Sequence, residues 1–450
     1  MFLFKNNKMK QRLFILLVIS SLSLMSFAQG ASGDNNSGSS ADSLTLKSVI
    51  GEIISKHPTV MGAIEALNAA DARIGLAKTG YYPNVDAGAN FSYIGPVIKI
   101  TIPNMGSFQL YPNTNYSAAI NVRQPILDFG RTRENVMLET ENKAYGVLTV
   151  EQVKQKMSMA AVNNFYTLAF LQDAIVIKDE EIKALNEHLK FVETKKLTGS
   201  ATDYEVLTTQ VRITTAESQK VDLLTAKKIQ QSYMNSLLGR PESNVPVVKK
   251  ELVAVMPQIN NDSLLDYALK NRDEMLLAKK KMDIARIRYD LTRTLNRPYL
   301  GFVATGGAKN GYLPELNALK MNYVLGLGFT VPLYDARKTK YNLDQVKVAM
   351  NGLDYEQEAT KRTVTSEVDE AEAYVTSAMQ KVKQFELQLL QAEKAYSLAE
   401  ISYKAGTITN LDLLDSSTMV SQSRLLLLKA KIDYAASLYR LKAVTGERLY

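Results

Sequence analysis

The chain has 450 residues, no Cys, no Trp, two His and a formal net charge of +8, with 22% charged and 46% hydrophobic residues. Without Cys there is no disulfide framework, thiol nucleophile, Cys-ligated zinc, iron–sulfur cluster or lipidated cysteine, and His57 and His188 alone exclude a multi-His metal site within one chain. No phosphate-binding glycine loop, metal-ligand spacing or grouping of nucleophile, base and orienting residue is present, so neither a cofactor nor an enzymatic activity is expected and energy must come from a partner.

In chain order, Lys5, Lys8, Lys10 and Arg12 lead into an apolar core from Leu13 to Met25 and small residues at Ser26 and Ala28. This is the layout of a secretory signal peptide over 1–28. Its apolar core is shorter than the about 20 residues of a membrane span. Removing it leaves a net charge of about +4, weak ground for a nucleic-acid partner, and none is expected. Residues 29–42 are small and polar and read as a flexible lead-in. Beyond them no long uncharged apolar window is evident, so no membrane-spanning helix is expected.

The first structural unit is expected over 43–241. Helix runs from Leu44 to Gly80, with an irregularity where His57 precedes Pro58. Two strands follow within 83–125, bounded by Pro83 and Pro125. In the first, Val85, Ala87, Ala89, Phe91 and Tyr93 alternate with Asp86, Gly88, Asn90 and Ser92; in the second, Tyr116, Ala118, Ile120 and Val122 keep the same period. A loop from Gly95 to Asn115 joins them. Tyr81, Tyr82, Tyr93, Tyr116, Tyr299 and Tyr323 lie near predicted strand ends, where an aromatic belt would put them, although strand propensity accounts for each singly.

From about Arg131 the period becomes helical. Leu168, Leu171, Ile175, Ile182, Leu185, Leu189 and Val192 follow three and four spacing as in a coiled-coil seam, and Lys178 interrupts them. A helix from Arg131 to Leu197 is about 100 Å long at 1.5 Å per residue. Gly199 suits its end, and a return helix runs from Asp203 to Gly239, which makes a hairpin over 131–239. A Pro-containing connection occupies 242–261.

The second unit, 262–450, repeats the plan: helix from Asp262 to Asn296, strands within 298–332 between Pro298 and Pro332, and a hairpin over 338–446 with its break at Gly406 and its return from Asn410 to Gly446. Tyr299 to Thr305 is the weakest of the four strand patterns, and Gly306 to Met321 reads as the second loop. Tyr323, Leu325, Leu327, Phe329 and Val331 mark the last strand. QPILDFGRTREN from Gln124 aligns with VPLYDARKTKYN from Val331 at an offset of 207, pairing Asp128 with Asp335 and Thr132 with Thr339. Gly199 with Gly406 and Gly239 with Gly446 keep that offset. Pro83 and Pro298 differ by 215, so the first copy holds eight extra residues, assigned to its loop.

Four amphipathic strands cannot close a barrel alone, and known barrels begin at about eight strands. Two chains would fill the interior with side chains, whereas three leave a lumen. The expected fold is therefore a mixed α/β membrane protein, mainly helical, with long antiparallel coiled-coil hairpins, an internal duplication and four strands per chain contributing to a 12-stranded trimeric β-barrel. Asn90, Ser92, Ser117, Asn121 and Thr330 suit its wet inner face. An exported coiled-coil structural or adhesive trimer without a channel is the alternative.

The duplicated strand, strand and long-hairpin order, with PILDFGR, PLYDARK and YKAGTITNLDLLDSST, resembles the TolC family of outer-membrane efflux channels over essentially the whole mature chain. That resemblance implies a homotrimeric duct through the outer membrane and its lipid into the periplasm, serving a tripartite efflux pump or type I secretion. It further implies docking to a periplasmic adaptor (membrane fusion) protein and an inner-membrane transporter of RND or ABC type. A gate at the periplasmic tips is implied at Asp412, Asp415, Tyr403 and Glu205, with the two aspartates as rings of carboxylates. Carboxylates in a first helical turn also favour the positive helix end without any gating role. Glu205 lies where the family can carry an acid bonded to a tip arginine, but that arginine's position holds Ile408; Tyr403 remains able to bond Glu205. Gly199, Ser200, Ala201, Thr202, Gly406, Thr407, Ile408 and Thr409 are the expected exposed docking set, and His188 is expected to be structural or exposed.

Overall fold

The computed structural model describes residues 44–103, 106–249 and 261–450. The expected signal peptide and lead-in, and residues 250–260 of the expected connection, lie outside them.

The chain opens with α1 (Leu46–Lys56) and α2 (Pro58–Lys78), then β1 (Asn84–Tyr93), a small β2 (Lys99–Ile102) and β3 (Gly106–Gln109), and β4 (Thr114–Leu127). The long α3 (Arg131–Leu197) and the return α4 (Asp203–Leu238) follow. The order then recurs as α5 (Asn261–Asn271), α6 (Asp273–Thr294), β5 (Tyr299–Lys309), β6 (Lys320–Thr330), α7 (Lys338–Lys404) and α8 (Asn410–Thr445). Both α3 and α7 contain 67 residues.

β1, β4, β5 and β6 form one antiparallel sheet in that order, and among the described residues its two edges, β1 and β6, have no further strand partner. Register puts Ala87, Ile120, Gly306 and Tyr323 on one row and Val85, Val122, Ala304 and Leu325 on the next. Directly paired residues share a face. Apart from Gln124 and Thr114 near its two ends, one face is therefore apolar and exposed, with Val85, Phe91, Ile120, Tyr323, Leu325, Leu327 and Phe329 all open. The opposite face carries a polar ladder: Thr305 Oγ1–H donates to Asn121 Oδ1 at 2.9 Å, Asn121 Nδ2 donates to Asp86 Oδ2 at 2.9 Å, and Arg123 pairs with Asp86 at 3.2 Å.

Several details depart from the sequence reading. Pro125 does not end its strand: β4 runs on to Leu127 through an irregularity between Pro125 and Leu127, beyond the last β1 partner, Arg123. A missing N–H is tolerable there because β1 has stopped pairing. The loop from Gly95 to Asn115 contains the β2–β3 hairpin, whose alternation of Ile98, Ile100 and Ile102 with Lys99 and Thr101 was legible but short. β5 continues past Thr305 to Lys309 through two glycines. At Gly307 a Cβ would fall 2.2 Å from the Ala118 carbonyl oxygen, so close strand approach, not a turn, demands this glycine. Tyr323 stands opposite Gly306 inside the sheet and not at its end.

The helix expected from Asp262 to Asn296 is interrupted at Arg272, whose backbone is extended (φ −70°, ψ 135°), just as His57 is (φ −66°, ψ 129°). In the first copy Pro58 forces the break, because the residue before a proline avoids helical backbone. His57 Nδ1 then accepts from the Thr59 N–H at 3.2 Å and caps α2. The second copy has no proline to signal the break, and there the end of α8 presses on it: a Cβ at Gly446 would meet the Arg272 nitrogen at 3.0 Å.

Entry into each long helix explains the aligned aspartates. Asp128 accepts from the Thr132 N–H at 2.7 Å and Asp335 from the Thr339 N–H at 2.9 Å, satisfying donors that the first helical turn leaves open. Burial opposes ionisation of Asp128, but hydrogen bonds from Thr132 and Gly130 and the Arg131 charge hold its carboxyl below the usual range. Ahead of each helix two successive residues are left-handed, Phe129 and Gly130 in one copy and Ala336 and Arg337 (φ 64°) in the other. A non-glycine residue there is strained by about 1–2 kcal/mol. Arg337→Gly is expected to gain about 0.5–1 kcal/mol in urea unfolding, the relief less the added chain entropy. Gly130→Arg should lose a similar amount.

The main core lies partway along α3, where Val162, Phe165, Tyr166 and Leu168 meet Leu46, Val49, Ile50 and Ile53 of α1, Met234 and Leu237 of α4, and Leu428 and Ile432 of α8. Contrary to the sequence expectation, α3 is long and apolar enough to cross a membrane by length and composition. These packed neighbours give that apolarity a core role.

Candidate gate at the helical tips

Both hairpins reverse by the same local chemistry. At the end of α3, Gly199 is left-handed (φ 71°) and the Ser200 N–H donates to the Lys195 carbonyl at 2.8 Å. At the end of α7, Gly406 is left-handed (φ 75°) and the Thr407 N–H donates to the Ser402 carbonyl at 3.0 Å. Such endings need a residue at ease with positive φ. The return helices start on hydroxyl caps: Thr202 Oγ1 accepts from the Glu205 N–H at 3.3 Å, and Thr409 Oγ1 from the Asp412 N–H at 3.2 Å.

The carboxylates three residues beyond these two caps are used differently. Asp412 Oδ2 accepts from the Thr409 N–H at 3.0 Å and from the Thr409 hydroxyl at 2.7 Å, closing a capping box. Those bonds hold its carboxyl below the usual range. Glu205 instead reaches across to the other hairpin, where its Oε2 accepts from the Tyr403 hydroxyl at 3.1 Å. Burial first, then this bond to Glu205, pushes the Tyr403 phenol up to about 12. Because its folded value is raised, the stabilisation this phenol gives is complete below its ordinary value of 10.0 and is lost as pH rises through about 12.

Around that bond the two hairpins interlock. The rings of His188 and Phe191, both on α3, lie 5.5 and 6.3 Å from the Tyr403 ring, and Lys195 Nζ sits 4.4 Å from the Tyr403 ring centroid. The buried Asn410 side chain donates from Nδ2 to the Glu205 carbonyl at 3.3 Å and to Thr209 Oγ1 at 3.2 Å, while His188 Nε2 lies 2.6 Å from Asn410 Oδ1. Asp415 forms an ion pair with Arg212 of α4. Thus the cations that meet Tyr403 and Asp415, Lys195 and Arg212, come from the first hairpin, whereas Ile408 is half-buried.

Of the expected docking set, Gly199, Ser200, Thr202, Gly406, Thr407 and Thr409 are exposed, but Ala201 and Ile408 are half-buried. Pro83, Pro298 and Pro332 lie just outside strands, and Pro125 lies within one. Sequence reasoning missed Phe191, Lys195, Thr209, Arg212 and Asn410 and undervalued His188. Their contacts bridge some 200 residues, as Tyr403 to Glu205 does at a separation of 198, so no local pattern records them. The usable signal was the 207 offset, which sets 199–202 beside 406–409 and confines the meeting side chains to the turns next to each tip.

The model of the outer membrane efflux protein family matches residues 49–240 and again 264–447. The chain belongs to the outer membrane efflux protein family. Among relatives, TolC of Escherichia coli (strain K12) is 18% identical over 446 residues, covering 96% of this chain and 86% of that protein. TolC of Vibrio cholerae is 23% identical over 236 residues, and there the alignment covers 50% of this chain and 53% of the relative. The solved structure of CusC, described for transmembrane channel formation, superposes with a TM-score of 0.76 at 18% identity, covering 94% of this chain and 98% of that one. At such identity the likeness to CusC is one of fold. As an outer membrane efflux protein the chain is an outer-membrane channel component of the efflux and secretion type, and its two family matches fall on the two copies of the repeat.

Proposed function

We propose that three copies of this chain close a 12-stranded barrel in the outer membrane, β1 of one copy pairing with β6 of the next, and that their hairpins continue it as a duct into the periplasm. The observation that carries this reading is the sheet itself: two edges unpaired among the described residues, a predominantly apolar exposed face and a hydrogen-bonded polar face. An exposed apolar sheet with free edges is an aggregation hazard in water and a lipid-facing wall in a closed barrel. The duct is the exit of a tripartite efflux pump or type I secretion system. Its tips at Gly199, Ser200, Thr202, Gly406, Thr407 and Thr409 dock to a periplasmic adaptor, with Ala201 and Ile408 supporting them from beneath, and an inner-membrane transporter of RND or ABC type supplies the energy.

In this reading the Tyr403–Glu205 bond holds the tips closed, and threefold symmetry makes Asp412 and Asp415 into carboxylate rings tempered by the Thr409 cap and by Arg212. Detergent extraction should yield a trimer from the outer membrane that conducts in a planar bilayer; a nonconducting, water-soluble trimer would instead support the adhesive alternative. Replacing Asp412 and Asp415 together with Ala is expected to weaken block by multivalent cations, read as a higher blocking concentration. Unchanged sensitivity would remove the rings from the gate.

A further inference from the structure

Asn410 stands where three of the tip helices, α3, α4 and α8, meet. It is the first residue of α8 and only 4% exposed, and its amide meets α3 through His188 and α4 through the Glu205 carbonyl and Thr209 Oγ1. The hydrogen-bond roles are fixed by the surroundings. Thr209 Oγ1–H already donates to the Glu205 carbonyl at 2.8 Å, so its lone pair is what faces Asn410 Nδ2. With Nδ2 occupied as donor on two acceptors, Asn410 Oδ1 must accept, and His188 Nε2 must carry the proton. The same imidazole lies against the rings of Tyr403 and Phe191, at 5.5 and 6.4 Å. His188 therefore braces both the buried amide and the phenol that reaches Glu205.

We infer that His188 and Asn410 form an internal catch that positions the closing bond: the His188 N–H holds Asn410, and Asn410 in turn fixes the start of α8 on the backbone of Glu205. This rests on reading the tips as the closed end of the duct. The catch supplies the cohesion that Ile408 cannot, and it does so inside the helix packing instead of between exposed charges. Removing the N–H leaves a buried amide oxygen without its partner, which is costly where water is excluded. Tyr403 and Glu205 then lose the backbone reference that aligns them. A glutamine at 188 presents an N–H at a similar reach and should restore the catch.

The test uses purified full-length trimers and two readouts, conductance in a planar bilayer and trypsin cleavage after Lys195, Lys196 and Lys404 in the last turns before the tips. His188→Leu and Asn410→Leu should each be cleaved about tenfold faster than the parent and conduct more, whereas His188→Gln should match the parent. Tyr403→Phe with Glu205→Ala serves as the reference for a released tip. If that reference is released and both leucine variants stay as slow as the parent, the catch is overturned and the gate reading stands. If the leucine variants are cleaved faster while neither they nor the reference gains conductance, the catch stands and the gate reading falls. Should a leucine variant fail to assemble, His188→Gln decides: parental cleavage supports the hydrogen bond, and leucine-like loosening or failed assembly overturns it.

Discussion

Leu325→Arg should abolish recovery of assembled protein from the outer membrane, whereas Val324→Arg, one residue away, should leave most of it. The two positions are adjacent in β6 and face opposite ways. Leu325 stands opposite Ala304, on the row with Val122 and Val85, while Val324 stands opposite Thr305 on the polar face. A lipid-facing arginine near the bilayer midplane costs about 2–4 kcal/mol per site, and a threefold assembly repeats it to about 6–12 kcal/mol. That exceeds what most assemblies can lose. On the wet face the same guanidinium keeps its hydration. Size-exclusion of detergent extracts, normalised to total expressed protein, reads the difference, and equal recovery of the two variants would show that the assigned faces are wrong.

Glu181→Ala should destabilise the helical part by about 3–5 kcal/mol, whereas Lys178→Leu combined with Glu181→Leu should be neutral or gain about 1–4 kcal/mol. Lys178 is the residue that interrupts the apolar seam of α3, and the structure shows how the seam tolerates it. Its ammonium pairs with Glu181 one turn on at 2.6 Å, with side chains only 7% and 8% exposed. Ser421 of α8 donates a hydroxyl to the same carboxylate. Removing the acid strands a charge among helices, but removing both groups returns the seam to apolar packing. Urea titration followed by helical circular dichroism measures both. Loss of stability in the double variant would mean that the pair contributes more than its own desolvation cost.

The molecule was unevenly legible in its sequence. Period-2 alternation marked the four sheet strands, and three and four spacing bounded by Gly199, Gly239, Gly406 and Gly446 marked the hairpins, because glycine at those ends answers a local backbone demand. The break at His57 could be read from Pro58, whereas its counterpart at Arg272 could not, since tertiary pressure at Gly446 accompanies it in place of a proline. The continuation of β5 through Gly306 and Gly307 was hidden for a related reason. Gly307 answers to a neighbouring strand, and the sequence alone makes the pair look like a turn. At the tips, Tyr403, Glu205, Asp412 and Asp415 were found through resemblance to relatives, but the partners of Asp412 and Asp415 were not. Arg212 and the Thr409 cap assign those two carboxylates local work. Asn410 carries no periodic signature at all, being the residue that follows a cap.

Duplication has left two equivalent carboxylates, three residues after Thr202 and after Thr409, in unequal employment. Asp412 is part of its own helix start, so dislodging it would fray α8. Glu205 has only a neighbour to let go of, the Tyr403 hydroxyl, while Thr202 alone keeps α4 capped. In the proposed gate the tip is thus a clasp with one fixed jaw and one free jaw. Letting go leaves every helix intact, and the parts can re-engage from folded surfaces without any refolding.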